Sequence, residues 1–437
     1  MHCNYKRYDD GTAYPIATEY DNNYKTTGSV DVGSMQMSFY WNWDASNPEY
    51  DLITISDTPN YKYKLKPWTE CKRADGSVVP YCIGSSYISG IASDDLYRSQ
   101  PNLCPARNQS YNNIYSNYHK KGKGYKGAGA ERNTFAILFT IIKGATKNSQ
   151  SIFAGCTSYN FQYSASIQSE ESHEYFPVTN AQAANIVVGS TVSVGYGSAN
   201  GSVVNNDRGI STIHKYVDCK RVSKIEKLDE NNMAVYFEGN ITPFTTTSVT
   251  LNDTLNAQIM LSSMHWYSGS TDCVIGRHDG SRVSNINGKY PCRIQGREYF
   301  VGGYIVASDT VMDFQSDYSK NVYVCPKGVA RSTSDTTIRN TYTLIGNIPA
   351  NSDSKGSDLW VGDISVDTET GCWYPSVQGS GNSQGFADIV YAGGISTSGT
   401  REYLMSGSLG AGSGSGLVFL DCGSGLGWGH WLYLAAD

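Results

Sequence analysis

Seven histidines, eleven cysteines and 40 acidic residues are the side chains of this sequence with the most chemistry in them, so their spacing comes first. The histidines never pair with a glutamate at the short spacing that hydrolytic zinc sites use. The cysteines, at 3, 71, 82, 104, 156, 219, 273, 292, 325, 372 and 422, are odd in number, scattered, and never spaced Cys-x-x-Cys. That excludes a zinc ribbon and a dense disulfide scaffold, and leaves reduced thiols that behave as small hydrophobes. No serine within Gly-x-Ser-x-Gly stands between a strand and a helix, and GSLGAGSG at 407–414 is no phosphate loop, because no lysine follows. No catalytic residue, metal ligand or cofactor site is therefore assigned. A pair of carboxylates is the one catalytic device that sequence spacing cannot show, since a fold must bring the two together.

The elements that would position any site are strands. Tyr (33) and Gly (45) are abundant, Pro is scarce and charged residues are 17%, a balance of strands, turns and loops. The net charge of −6 is not segregated along the chain, which argues against a nucleic-acid footprint. The basic run HKKGKGYKG, 119–127, reads as a solvated, mobile loop. The longest apolar run, FAILFTII at 135–142, is far short of the roughly 18 residues of a membrane span, so no membrane insertion is expected. MHCNYKRYDDGTAYP has no apolar core and reads as no secretory signal, which turns the Asn-x-Ser/Thr triplets at Asn108, Asn200, Asn240 and Asn252 into chance matches.

Strands are expected in MQMSFYWNW and YKYKLK between 28 and 66, and in PYCIGSSYISG at 80–90. Phe135, Leu138, Phe139 and Ile142 fall at helical spacing, so one or two helices are expected within 131–156. Residues 177–247 read as a separable small β module: a helical turn at 181–184, a strand at 187–194, and a hairpin through Val217–Leu228, the turn DENN, and Met233–Phe237. Long loops dominate 263–298, and loops held on a rigid scaffold are where recognition is usually placed.

Several stretches, taken in order, carry a resemblance: PNLCPARNQSY (101–111), ERNTFAILFTIIKGATKNSQSIFAGC (131–156), GKYPCRIQGREYFVGGY (288–304), TSGTREYLMSGSLG (397–410) and SGLVFLDCGSGLGWGHWLYLAA (415–436). Together they resemble a family of phage tail and bacterial surface proteins, the targets of diversity-generating retroelements. Their receptor-binding domains have the C-type-lectin-like fold, shared with formylglycine-generating enzymes. The resemblance covers roughly 61–437, interrupted at 177–247. It implies an α+β, β-rich and loop-rich fold: an N-terminal β attachment or oligomerisation region (1–60), a C-type-lectin-like domain (61–437) with the inserted β module, and a variable ligand-binding region (400–437).

The resemblance also assigns roles along the closing run. Gly407, Gly412, Gly416, Leu417, Leu420, Gly425, Leu426, Gly427 and Trp431 become scaffold. Ser408, Gly410, Ala411, Ser413, Gly414, Asp421, Gly423, Ser424, Trp428, His430, Leu432 and Tyr433 become the ligand-binding set. The physics agrees with such a layout. Glycines allow tight turns, buried Leu and Trp lock the register, and residues between them can change at little cost to the fold. Trp428, His430 and Tyr433 are the aromatic candidates for affinity.

Calcium-dependent sugar binding is not expected: Gln100-Pro101-Asn102 is the only lookalike of the Pro-centred triplet and comes too early. Cys372 and Cys422 lack the context of the formylglycine-generating pair. The resemblance thus implies a non-enzymatic receptor-binding protein at a phage tail tip or fibre, a homotrimer in the virion. Its partners would be a bacterial surface protein or glycan and other tail proteins. The alternatives are a bacterial cell-surface adhesin of the same fold and a polysaccharide-degrading tail enzyme.

Overall fold

The computed structural model describes residues 1–47, 49–196, 211–251, 255–272, 288–392, 398–407 and 412–427. Its centre is an eight-stranded sheet in the order Thr343–Ile348, Lys320–Val324, Ile305–Phe314, Thr400–Met405, Leu420–Asp421, Ile389–Tyr391, Leu359–Asp367 and Cys372–Gly379. Neighbours are antiparallel except Ile389–Tyr391 and Leu420–Asp421, which run parallel. The two edges come back toward each other: Gly346 on one edge strand lies against the ring of Tyr374 on the other, with no room for a Cβ between them. Edges covered in this way do not offer free backbone groups to another chain.

Strand Ile305–Phe314 shows why the sheet is central, since all ten of its residues are buried. Its side chains alternate between two cores. Val306 and Val311 join Tyr111, Ile114 and Tyr118 of helix α1 (Tyr111–His119). Ile305, Ala307, Met312 and Phe314 join Phe135 and Leu138 of helix α2 (Glu131–Gly144). A register shift between Val306 and Val311 keeps both valines on the α1 side although five positions separate them.

The helical spacing in 131–156 is realised as α2 alone. The chain leaves it at Ala145 in the left-handed conformation (φ 50°) and then makes a single 3-10 turn at Ser149–Ser151. Helix α1 carries Tyr111, Ile114 and Tyr118 at helical spacing as its buried face, and Ser110 and Asn113 cap it reciprocally.

The first 60 residues are woven into the rest. Strands Ala13–Thr18, His2–Arg7 and Asp31–Met37 make a sheet with Tyr81–Ser85. Phe39 stacks on Trp68, which in turn meets Phe135 of α2. MQMSFYWNW forms strands Asp31–Met37 and Tyr40–Asp44, but Tyr61–Tyr63 of YKYKLK is a 3-10 turn capped by Asn60. Asparagine at that position stops a strand by bonding the backbone two residues on.

The module expected at 177–247 is wider than that. Its six-stranded sheet runs Gln162–Ser164, Ile259–Ser263, Thr191–Tyr196, Val217–Lys227, Asn232–Phe237 and Tyr175–Thr179, drawing in strands from both sides. Its inward residues share one apolar core with α2 and the eight-stranded sheet.

The basic run at 119–127 is a second difference. Lys121 Nζ lies 3.0 Å from the buried carboxylate of Asp31 and against the rings of Tyr118 and Tyr125, so this lysine is structural and not part of a solvated loop. Among the described residues no helix is long and apolar enough to cross a membrane.

Candidate functional site

Leu417, Val418, Phe419, Leu420 and Cys422 are buried, and Leu420–Asp421 lies inside the eight-stranded sheet between Thr400–Met405 and Ile389–Tyr391. The closing run up to 427 is framework, fastened on every side. Asn133 of α2 donates its side-chain amide to the Leu417 carbonyl and accepts from Ser406 Oγ at 3.3 Å. Asp388 accepts the Val418 N–H at 2.9 Å and the Gln150 amide at 2.8 Å, while Gln150 also reaches the Ser413 carbonyl at 2.9 Å. Gly416 lies so close to the Asp388 carboxylate that no side chain fits there. Further on, the Glu402 N–H donates to the Ser424 carbonyl and the Asn112 N–H of α1 to the Leu426 carbonyl, both at 2.9 Å.

The motif residues ahead of this run also serve position. Arg132 donates to the Ser85 carbonyl at 3.0 Å and to the Glu298 carbonyl at 2.8 Å. Glu298 accepts Gly269 N–H at 3.1 Å and Thr271 Oγ1 at 3.0 Å. Arg297 is fully buried over the Phe135 ring and forks onto Glu70. Burial works to raise the Glu70 carboxyl, but the Arg297 guanidinium outweighs it and holds the group below its usual range.

The twelve expected ligand-facing residues divide as follows. Ser413 is exposed and Gly423 half-buried. Gly414, Asp421 and Ser424 are buried: Gly414 packs on Ile389, and Asp421 turns back onto the Gly423 N–H at 2.7 Å. Ser408, Gly410, Ala411, Trp428, His430, Leu432 and Tyr433 lie outside the described residues, as does the scaffold candidate Trp431. Of the other scaffold candidates, Gly407 has φ 83° and packs on Ser415, and exposed Gly427 leads into the last segment.

Sequence reasoning missed the loop beside Ser413. Asn382 Nδ2 reaches Ser413 Oγ at 3.4 Å, and Ser380, Asn382, Ser383 and Gln384 are exposed around it. The signal was there in GSGNSQG, 379–385, a run of turn residues, but nothing in sequence ties it to residue 413.

A second constellation is a polar cleft with cavities of about 360 and about 270 Å³ that share Lys126, Asp309, Cys325 and Lys327. Here Glu131, at the start of α2, and Asp309, in the bulge of the central strand, converge over Gly129, whose Cβ would overlap both carboxylates. Burial first, then the Asp309 charge, push Glu131 up to about 7. Lys327 Nζ donates to the carbonyls of Thr69 and Lys72, both at 2.5 Å, and burial and Lys126 bring it down to about 8. The residues lie at 126, 131, 309 and 327, so no spacing announces them.

One described group offers metal-ligand atoms close together: His214, Asp218 and Cys219, within 4.8 Å of one another. The Arg107 guanidinium already sits there, 2.9 and 3.0 Å from the Asp218 oxygens and 3.1 Å from His214 Nδ1, and its fixed charge opposes a second cation.

No protein-family model and no curated protein matches this chain. The functional reading therefore rests on the residues and their geometry.

Proposed function

We propose that the chain is a receptor-binding protein of a phage tail tip or fibre with a C-type-lectin-like C-terminal domain, adsorbing to a bacterial surface molecule through the surface that its closing run supports. One observation carries the reading: Leu417–Cys422 is buried, with Leu420–Asp421 inside the eight-stranded sheet, while exposed Ser413 and Gly427 stand at the two ends of that framework. A recognition surface that tolerates exchange needs this separation of inward anchors from outward side chains. Within the reading, Ser413, Gly423 and the 380–384 loop contribute to the ligand face together with Trp428, His430 and Tyr433. Asp421, Gly414 and Ser424 act as supports. Trimeric display in the virion multiplies a modest single-site affinity.

The test is binding of the labelled full chain to whole cells of a panel of bacterial isolates and to their extracted surface glycans. Saturable binding to a subset of isolates is expected, weakened by Trp428→Ala with an unchanged melting temperature. Absence of binding across the panel, or equal binding by the variant, would overturn it.

A second reading, a polysaccharide-degrading tail enzyme, has the Glu131 and Asp309 pair in its favour, because a raised carboxyl at Glu131 stands beside a second carboxylate, the arrangement of an acid and a base. It requires that the same glycans be shortened on incubation, and that Glu131→Gln abolish the shortening.

A further inference from the structure

Cys104 and Cys219 belong to different parts of the fold. Cys104 lies in the loop that leads into α1, next to the bridge between Pro105 and Gly90. Cys219 lies in strand Val217–Lys227 of the six-stranded sheet. The fold nevertheless brings the two residues together: Cys104 packs against the small apolar cluster of Ile213, Cys219, Met260 and Met264.

The backbone of Cys219 is held in an unusual conformation to achieve this. Its φ is 46°, the left-handed region that residues with a Cβ avoid. Two side chains clamp it there: Ser193 Oγ accepts its N–H at 2.9 Å, and Tyr267 Oη donates to its carbonyl at 2.7 Å. Backbone held in a disfavoured region by its surroundings tends to mark places where a side chain must point one way.

The surroundings favour thiolate at one sulfur only. Hydrogen bonding from Cys219 and then the charge of Arg107 hold Cys104 below the ordinary thiol range, against the effect of burial. Arg107 is itself held in place by its fork onto Asp218. Cys219, the donor, is pushed well above the ordinary range. Cys104 is half-buried and Cys219 buried. The second facing pair, Cys71 and Cys82, makes a useful contrast. Both are buried, and the hydrogen bond to Cys82 and burial push Cys71 far up.

We propose that Cys104 and Cys219 form a reversible disulfide by exchange with a small-molecule or protein disulfide, fastening the loop before α1 to the six-stranded sheet. The Cys104 thiolate attacks one sulfur of the oxidant R–S–S–R, forming Cys104–S–S–R and releasing R–S⁻, which takes up a proton. Cys219 gives up its proton and attacks the Cys104 sulfur, so that the protein disulfide forms and the second R–S⁻ leaves and is protonated. Two thiols lose two electrons and two protons in all, and one disulfide is reduced to two R–SH. The step is independent of what the chain binds.

The experiment treats the native full chain with oxidised glutathione, blocks remaining thiols, and maps peptides by mass spectrometry without reduction. A peptide pair joining Cys104 to Cys219 is expected, lost on treatment with dithiothreitol, with Cys71 and Cys82 recovered as free thiols. Cys219→Ser removes the resolving thiol, and glutathione is then expected to accumulate on Cys104. The oxidised wild type is expected to melt a few degrees higher than the reduced protein, because the link closes a long loop of the unfolded chain. Recovery of both Cys104 and Cys219 as free thiols after oxidation would overturn the proposal, and so would first modification at Cys71 or Cys82. The wild-type map stands by itself if the serine variant does not fold.

Discussion

Asp388 Oδ2 accepts the backbone N–H of Val418 at 2.9 Å, from a carboxyl with no exposed surface. Through this bond a loop of the eight-stranded sheet holds the turn that opens the closing run, and Gln150 holds the same carboxyl from the other side. Asp388→Ala leaves the buried Val418 N–H without its acceptor, while the half-buried Gln150 amide keeps the Ser413 carbonyl. A buried orphan costs about 1–3 kcal/mol, the loss expected in chemical denaturation. Asp388→Asn keeps an acceptor oxygen and should lose less.

Four carboxyls raised above their usual range tie stability to pH. Burial raises Asp421 to about 6, Glu131 and Asp388 to about 7, and Glu402 to about 8. Each holds a proton in the folded state that the unfolded chain releases from about pH 4 upward. Their contribution is present in full below that pH and is lost as pH rises through the folded values. Melting temperature is therefore expected to fall steadily between pH 5 and pH 8.5. A curve that is flat or rising over that range would contradict the burial of these groups.

Glu70 and Arg297 form an ion pair with Arg297 fully buried. Removing one partner strands the other: Glu70→Ala is expected to cost about 3–5 kcal/mol. Glu70→Gln, which keeps an acceptor for the Trp68 indole, should cost less in the same denaturant titration.

Framework and face should respond in opposite ways to substitution. Leu417→Ala opens a cavity at a fully buried site and is expected to cost about 2–5 kcal/mol. Asn382→Trp, on the exposed loop beside Ser413, should leave the melting temperature unchanged but reduce adsorption to cells. Equal stability loss from both would mean that the loop is not a face.

Local pattern decided part of this protein. The spacing of Phe135, Leu138 and Phe139 was enough for α2, and the turn DENN between two alternating runs was enough for the hairpin of Val217–Lys227 and Asn232–Phe237, because both depend on neighbours in the chain. In SGLVFLDC the inward places of Leu417 and Leu420 were what the resemblance implied, and both are buried. Helix α1 was not expected although Tyr111, Ile114 and Tyr118 stand at helical spacing, because two of the three are tyrosines, which count as apolar only once Val306 and Val311 cover them. Burial of Asp421 and Ser424, the meeting of Glu131 with Asp309, the contact of Asn382 with Ser413 and the facing thiols of Cys104 and Cys219 all join residues distant in the chain. Such pairs are set by how sheets stack and which strands become neighbours, a property of the whole packed core. Short-range order follows from backbone preference and hydrophobic period; the site follows from tertiary packing, since only packing excludes water and brings remote charges into one low-dielectric space.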